Sequence, residues 1–167
     1  QTDWSSLSAT GQADAMRAVT DPQNQDHVFI STWGGGLLEF KNNELFRQYT
    51  YTNSPLQTII PGRPYVRICG LAFDRGNNLW MTQSEVKGSI KVLKPDGSWI
   101  LNPLTIDAQM IGDITIARNG YKWVVLPRGN GIFVFDDNIL KNFPNKDNRL
   151  GFLVSALQSL DSKLKNI

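Results

Sequence analysis

Short apolar runs alternate with polar turn signals along nearly the whole chain, and the segment Cys69–Pro103 shows the pattern most completely. Cys69–Phe73 is followed by Arg75-Gly76-Asn77-Asn78, then Leu79–Thr82 and a polar link through Gly88. Ile90–Leu93, Pro95-Asp96-Gly97 and Trp99–Leu101 complete the series. Runs of strand length bounded by Asn-Asn, Asp-Gly and lone glycines predict antiparallel hairpins and no helix.

The unit recurs. Phe73–Trp80 lies over Ile116–Trp123 without a gap, 43 positions on, with Arg75 matching Arg118 and Trp80 matching Trp123. This copy continues through Trp123–Leu126, Gly131–Phe135, Asp136-Asp137-Asn138 and Ile139–Phe143. Upstream, Met16–Val19, Val28–Ser31, Leu37–Phe40 and Leu45–Tyr49 form a further copy, with Val28 in the place of Leu79, 51 positions earlier. Four-stranded units at this period predict a β-propeller. A β-sandwich also strings short strands together, but it gives no reason for the ungapped Arg and Trp correspondence.

The predicted fold class is all-β: a β-propeller fragment of about three four-stranded antiparallel blades plus flanking strands, spread over residues 1–167. The blades fall at about 15–50, 67–102 and 111–144. Residues 1–10 read as the outer strand of a preceding blade, and 151–167 as the start of a further one. Within the latter, Phe152–Leu160 reads as an inner strand, although its apolar spacing also fits a short helix. Thr52–Pro64, with Asn53-Ser54-Pro55, Pro61-Gly62 and Pro64, predicts a long connection without regular helix. Three blades are too few to close a ring, so the expected neighbours are the remaining blades of a parent protein or a second copy of this chain.

Composition narrows the partners. With 41% apolar residues over 167 positions the chain can bury a core. Scattered charges and a formal net charge of +2 give no basic face for nucleic acid. No apolar run approaches the roughly 18 residues of a membrane span. The lone Cys69 excludes an internal disulfide and sits in an apolar run as a small hydrophobe. A catalytic role for it needs a base, and the sequence gives no pairing with the only histidine, His27. Asp14, Asp74 and Asp113 lie at or near the presumed inner strands, but nothing pairs them as acid and base. The glycine-rich links lack the Lys-Ser/Thr of a phosphate loop, and Asp136-Asp137-Asn138 lacks the spacing of a calcium loop. No catalytic constellation, metal site or cofactor is expected.

Recognition usually resides in loops carried by a rigid scaffold. One end of the blades should gather Trp33-Gly34-Gly35-Gly36, Gln83–Gly88 and Arg128-Gly129-Asn130-Gly131, with the connections near Arg63–Tyr65, Asp107–Gln109 and Lys146–Asn148. The candidate ligand-binding residues are Trp33, Arg63, Tyr65, Glu85, Lys87, Arg128 and Asn130. Their aromatic rings, cations and amides suit a glycan or protein ligand through stacking and bidentate hydrogen bonding. The glycines themselves answer first to tight turns.

The pattern GLAFDRGNNLWMTQS with IKVLKPDGSW, together with STWGGGLLEF and RGNGIFVFDDN, resembles the two-component-regulator propeller repeat. Asp74, Asn77-Asn78-Leu79-Trp80 and Gly34-Gly35-Gly36-Leu37 carry the match. Asp21-Pro22-Gln23-Asn24 and Arg128-Gly129-Asn130-Gly131 depart from the repeat and are similar to PorZ-like propeller proteins of the type IX secretion system. The resemblance implies a noncatalytic binding module of an exported protein, in the periplasm or at the outer-membrane surface. It equally implies, as an alternative, the periplasmic sensor domain of a membrane-associated hybrid histidine kinase that recognises polysaccharide fragments.

Overall fold

The computed structural model describes residues 14–100, 110–128 and 131–136. Every element in this range is a strand, and together they form three propeller blades. The first holds β1 (Ala15–Asp21), β2 (Asn24–Gly34), β3 (Leu37–Lys41) and β4 (Glu44–Tyr49). The second holds β5 (Val66–Phe73), β6 (Leu79–Gln83), β7 (Ile90–Leu93) and β8 (Trp99–Ile100). In the third, β9 (Ile114–Ile116), β10 (Lys122–Leu126) and β11 (Gly131–Phe135) are described. Within each blade, successive strands pair antiparallel. The sequence-expected strands at 1–10, Ile139–Phe143 and Phe152–Leu160 lie outside the described residues.

The blades stack face to face and bury apolar residues in the two spaces between them, so the second blade is packed on both faces. Between the first and second blades lie Phe29, Leu37, Leu56, Val66, Leu71 and Met81, with neighbours of the same kind. Between the second and third lie Trp80, Ile90, Val92, Ile111, Val124 and Phe135. Period-2 alternation explains the split along β7: Val92 faces the third blade while Leu93 faces the first.

Polar contacts repeat with the blades. Ser31 Oγ donates to the Cys69 carbonyl at 3.2 Å, and Thr82 Oγ1 donates to the Gly112 carbonyl at 2.6 Å. Ser31 and Thr82 are equivalent in the repeat, as are Cys69 and Gly112. In the first and second blades one hydroxyl therefore fastens the second strand to the next blade; the third has Val125 at this position. At the opposite end Asn77 donates to Asp21 at 3.0 Å, and Arg75 donates to the carbonyl of its own repeat equivalent, Arg118, at 2.5 Å. The family-like Asp74…Trp80 spacing has a local cause. Asp74 ends the inner strand and accepts hydrogen bonds from Trp80 Nε1 at 2.8 Å and from the Asn78 backbone and side-chain amides.

Lys91, on β7, is fully buried, and its ammonium donates to the Gly88 carbonyl at 2.6 Å. Burial pushes its pKa down. Below that lowered pKa the folded state carries the whole desolvation penalty of the cation; the penalty disappears as pH rises toward the unfolded value. Lys91→Met, which keeps the stem and removes the charge, is expected to stabilise the protein by about 1 kcal/mol at neutral pH, measured by chemical denaturation.

Candidate functional site

The three blades leave charged and aromatic side chains at the end carrying the β2–β3 and β6–β7 links. β2 runs past its own hairpin and pairs with the next blade, Trp33 opposite Arg67 and Gly34 opposite Val66. Across that seam the Arg67 guanidinium lies 4.8 Å from the Trp33 ring centroid and 5.1 Å from that of Tyr65. Its Nη1 meets Glu85 Oε1 at 2.5 Å. The Ser84 amide donates to the Arg67 carbonyl, tying the β6–β7 link to the same strand. Tyr65 is placed by the connection 50–65, which folds as turns. There Thr58 Oγ1 contacts the Tyr65 amide, and Gln83 clamps Gln57 through both its side-chain oxygen and nitrogen.

Of the sequence-expected residues, Trp33, Tyr65 and Glu85 thus come together, around an arginine that the sequence reading passed over. Arg67 stands inside the apolar run Val66–Phe73, where alternation puts it on a strand face rather than in a loop; a charge within an otherwise apolar strand was the available signal. Arg63, Lys87 and Arg128 are exposed at this end with no ion pair among the described residues, and Asn130 lies outside those residues. Asp107–Gln109 and Lys146–Asn148 lie outside them too.

Backbone geometry sets two of these positions apart. Gly34, Glu85 and Arg128 occupy the same place in successive repeats. All three have positive φ: 131° for Gly34 and 60° for both Glu85 and Arg128. The left-handed region favours glycine and disfavours a charged side chain by about 1 kcal/mol. The second and third blades therefore keep charged groups where the conformation calls for glycine.

No protein-family model and no curated protein matches the chain. Among solved structures, PorZ of Porphyromonas gingivalis, an essential bacterial surface component of the type-IX secretion system, superposes with a TM-score of 0.63. The match has 26% identity over 77% of this chain. The chain is similar to a PorZ-type propeller. It also shares its fold with the extracellular domain of a hybrid two-component system from B. thetaiotaomicron, at a TM-score of 0.51 and 15% identity over 80% of this chain. In each case it spans 18% of the matched chain. The resemblance read from the blade pattern and this structural likeness point to the same two kinds of propeller.

The turn end of the first two blades holds a second polar group, in a cleft of about 530 Å³. His27 places Nδ1 3.0 Å from Asp21 Oδ2 and Nε2 2.8 Å from Glu39 Oε1. Glu39 also accepts from Tyr49 Oη at 2.7 Å and pairs with Lys41 at 3.1 Å. Burial pushes the Glu39 carboxyl up, but the hydrogen bonds from Tyr49, Lys41 and His27 outweigh it and hold the carboxyl below its usual range. Asp21 is lowered in the same way: the Gln23 amide, Asn77 and His27 outweigh its burial. No partner for His27 could be read along the chain because its partners lie on two other strands; the signal was Glu39 itself, an acid within Leu37–Phe40. Each carboxylate is occupied by neighbours within the fold, so this cluster is a structural clamp.

Cys69 is half-buried on the inner strand, and burial pushes its thiol up to about 11 despite a hydrogen bond with Ser84. Alkylation by iodoacetamide at pH 8 is therefore expected to run at least tenfold slower than for glutathione, with equal rates refuting the shift. Asp113, one of the acids considered above, forms an ion pair with Arg17 at 2.6 Å and joins the first blade to the third. Among the described residues no group of three or more His, Cys, Asp or Glu could hold a metal ion.

Proposed function

We propose that this chain supplies a noncatalytic binding face of an exported propeller protein, PorZ-like, working in the periplasm or at the outer-membrane surface and taking a glycan or protein ligand. The observation that carries it is the pair of left-handed charged residues at the repeat position of Gly34, Arg128 in the third blade and Glu85 in the second, with Glu85 paired to Arg67 of the Trp33–Arg67–Tyr65 stack. Strain retained at equivalent positions of two blades supports this reading, because such strain clusters at functional sites. The structural likeness to PorZ supports the surface setting. Further blades of a parent protein or a second copy would complete the ring, and nucleic acid is no partner.

The likeness to an extracellular domain of a hybrid two-component system favours a second reading, a periplasmic sensor domain. The coding sequence beyond Ile167 separates the two: a membrane span and a kinase belong to the sensor, more blades and a sorting domain to the surface component.

The binding face is tested with Trp33→Ala and Arg128→Ala against immobilised envelope polysaccharide and envelope protein. Each variant is expected to lose binding at least tenfold while its thermal midpoint moves by no more than about 3 °C, the shift of roughly 1 kcal/mol in a protein of this size. Loss of binding only in step with loss of stability would make both residues structural.

A further inference from the structure

Arg67 is underused as a donor. Its guanidinium carries five N–H groups, and among the described residues only Nη1 has an acceptor, the Glu85 carboxylate. Nε is buried without a hydrogen-bond partner. Trp33 and Tyr65 lie against the guanidinium, and its N–H edge carries the unused donors. That edge is a fork matched to a planar carboxylate. Glu85 reaches it from a residue with φ of 60°, at a position where the first blade has glycine.

Resting on the binding-face reading above, we infer that Glu85 is a built-in stand-in for a ligand carboxylate, and that the Trp33–Arg67–Tyr65 stack receives an acidic side chain of a peptide segment. The incoming carboxylate takes the Arg67 fork through two N–H groups, and Glu85 leaves. Arg128, at the equivalent position of the next blade, and the exposed Lys87 offer further cations for neighbouring acidic residues of the same segment. A peptide fits better than a neutral sugar, because the guanidinium already covers a face of both rings and recognition passes to its N–H edge.

The probe is a hexaglutamate peptide, titrated into the whole chain and followed by tryptophan fluorescence and amide chemical shifts, with hexaglutamine as control. Glu85→Gly removes the stand-in and suits the left-handed turn; it is expected to bind hexaglutamate at least fivefold more tightly than the parent. Arg67→Lys, which keeps the charge and loses the fork, is expected to bind at least fivefold more weakly. The first readout is a gain, so it stands whether or not the second variant folds. Equal affinity of Glu85→Gly and the parent, or no response to hexaglutamate in either, overturns the inference. Tighter binding of an oligogalacturonate than of hexaglutamate overturns the peptide assignment. In both cases the Trp33 and Arg128 variants still decide separately whether this end is a binding face.

Discussion

Gly70→Ala is expected to destabilise the protein by about 3 kcal/mol, at the upper end of the range for overpacking a closed interior. Gly70 lies on β5, the inner strand of the second blade. A Cβ built there meets the backbone nitrogen of Ile114 at 2.4 Å and the Cα of Asp113 at 2.8 Å. Both are main-chain atoms of the third blade, so no side chain can turn away and the blades themselves must separate. Separation also pulls on the clasp between them, where Thr82 Oγ1 accepts from the Gly70 amide at 2.8 Å and donates to the Gly112 carbonyl. For a protein of this size the loss corresponds to roughly 6–12 °C in the thermal midpoint. Gly97 is the control: its φ is +83°, yet nothing lies within 4 Å of an added Cβ. Gly97→Ala therefore carries only the conformational cost of about 1 kcal/mol. If the two alanine variants melt together, crowding between blades is not what Gly70 relieves.

The same contact explains how far the sequence could be read. Strands and their repeat were legible because each blade packs apolar residues against its neighbour and its strands are bounded by short polar turns. β6 spans Leu79–Gln83 and β7 spans Ile90–Leu93, close to the apolar runs seen in the sequence. β2 was less legible: Asp21-Pro22-Gln23-Asn24-Gln25-Asp26 reads as a link, whereas β1 runs to Asp21 and β2 begins at Asn24. The polar residues there lie on an exposed hairpin end, where pairing continues without any apolar demand and Asp21 caps the Gln23 amide at 2.8 Å. The candidate site was half legible. Trp33, Tyr65 and Glu85 were found because they lie in or beside the turn-rich links, Trp33 at the end of β2. Arg67 was not, because its role depends on a strand pairing between blades that no local pattern encodes. The positive φ shared by Glu85 and Arg128 became meaningful only once the backbone aligned both with Gly34.

Replacing Glu39 is expected to have the largest effect of all, a loss of about 4 kcal/mol in Glu39→Ala, because one buried carboxylate satisfies three strands. Glu39 is 4% exposed and sits on β3, where it accepts from His27 of β2 and from Tyr49 of β4, and pairs with Lys41 at the end of its own strand. Its removal leaves the buried Tyr49 hydroxyl without its acceptor and His27 with Asp21 alone, the situation in which a broken buried pair costs about 3–5 kcal/mol. Tyr49→Phe, which deletes one donor and leaves the carboxylate its other partners, should lose only about 1 kcal/mol. The double variant should fall short of the sum. Acid sharpens the test. The folded-state pKa of Glu39 lies below its unfolded value of roughly 4.3, so its contribution is complete above that pH and is lost as pH falls through the folded value. The denaturation midpoints of the parent and Glu39→Ala should therefore converge below about pH 4. Alkali acts through Tyr49, whose phenol is pushed up to about 12 by burial and by the hydrogen bond to Glu39. The folded state then holds a proton that the unfolded chain gives up near pH 10, so stability falls as pH rises from about 10 to 12. Tyr49→Phe should flatten that alkaline slope. A Glu39→Ala protein as stable as its parent at pH 7 would mean that the clamp is solvated, and that His27, Lys41 and Tyr49 find water as readily as they find the carboxylate.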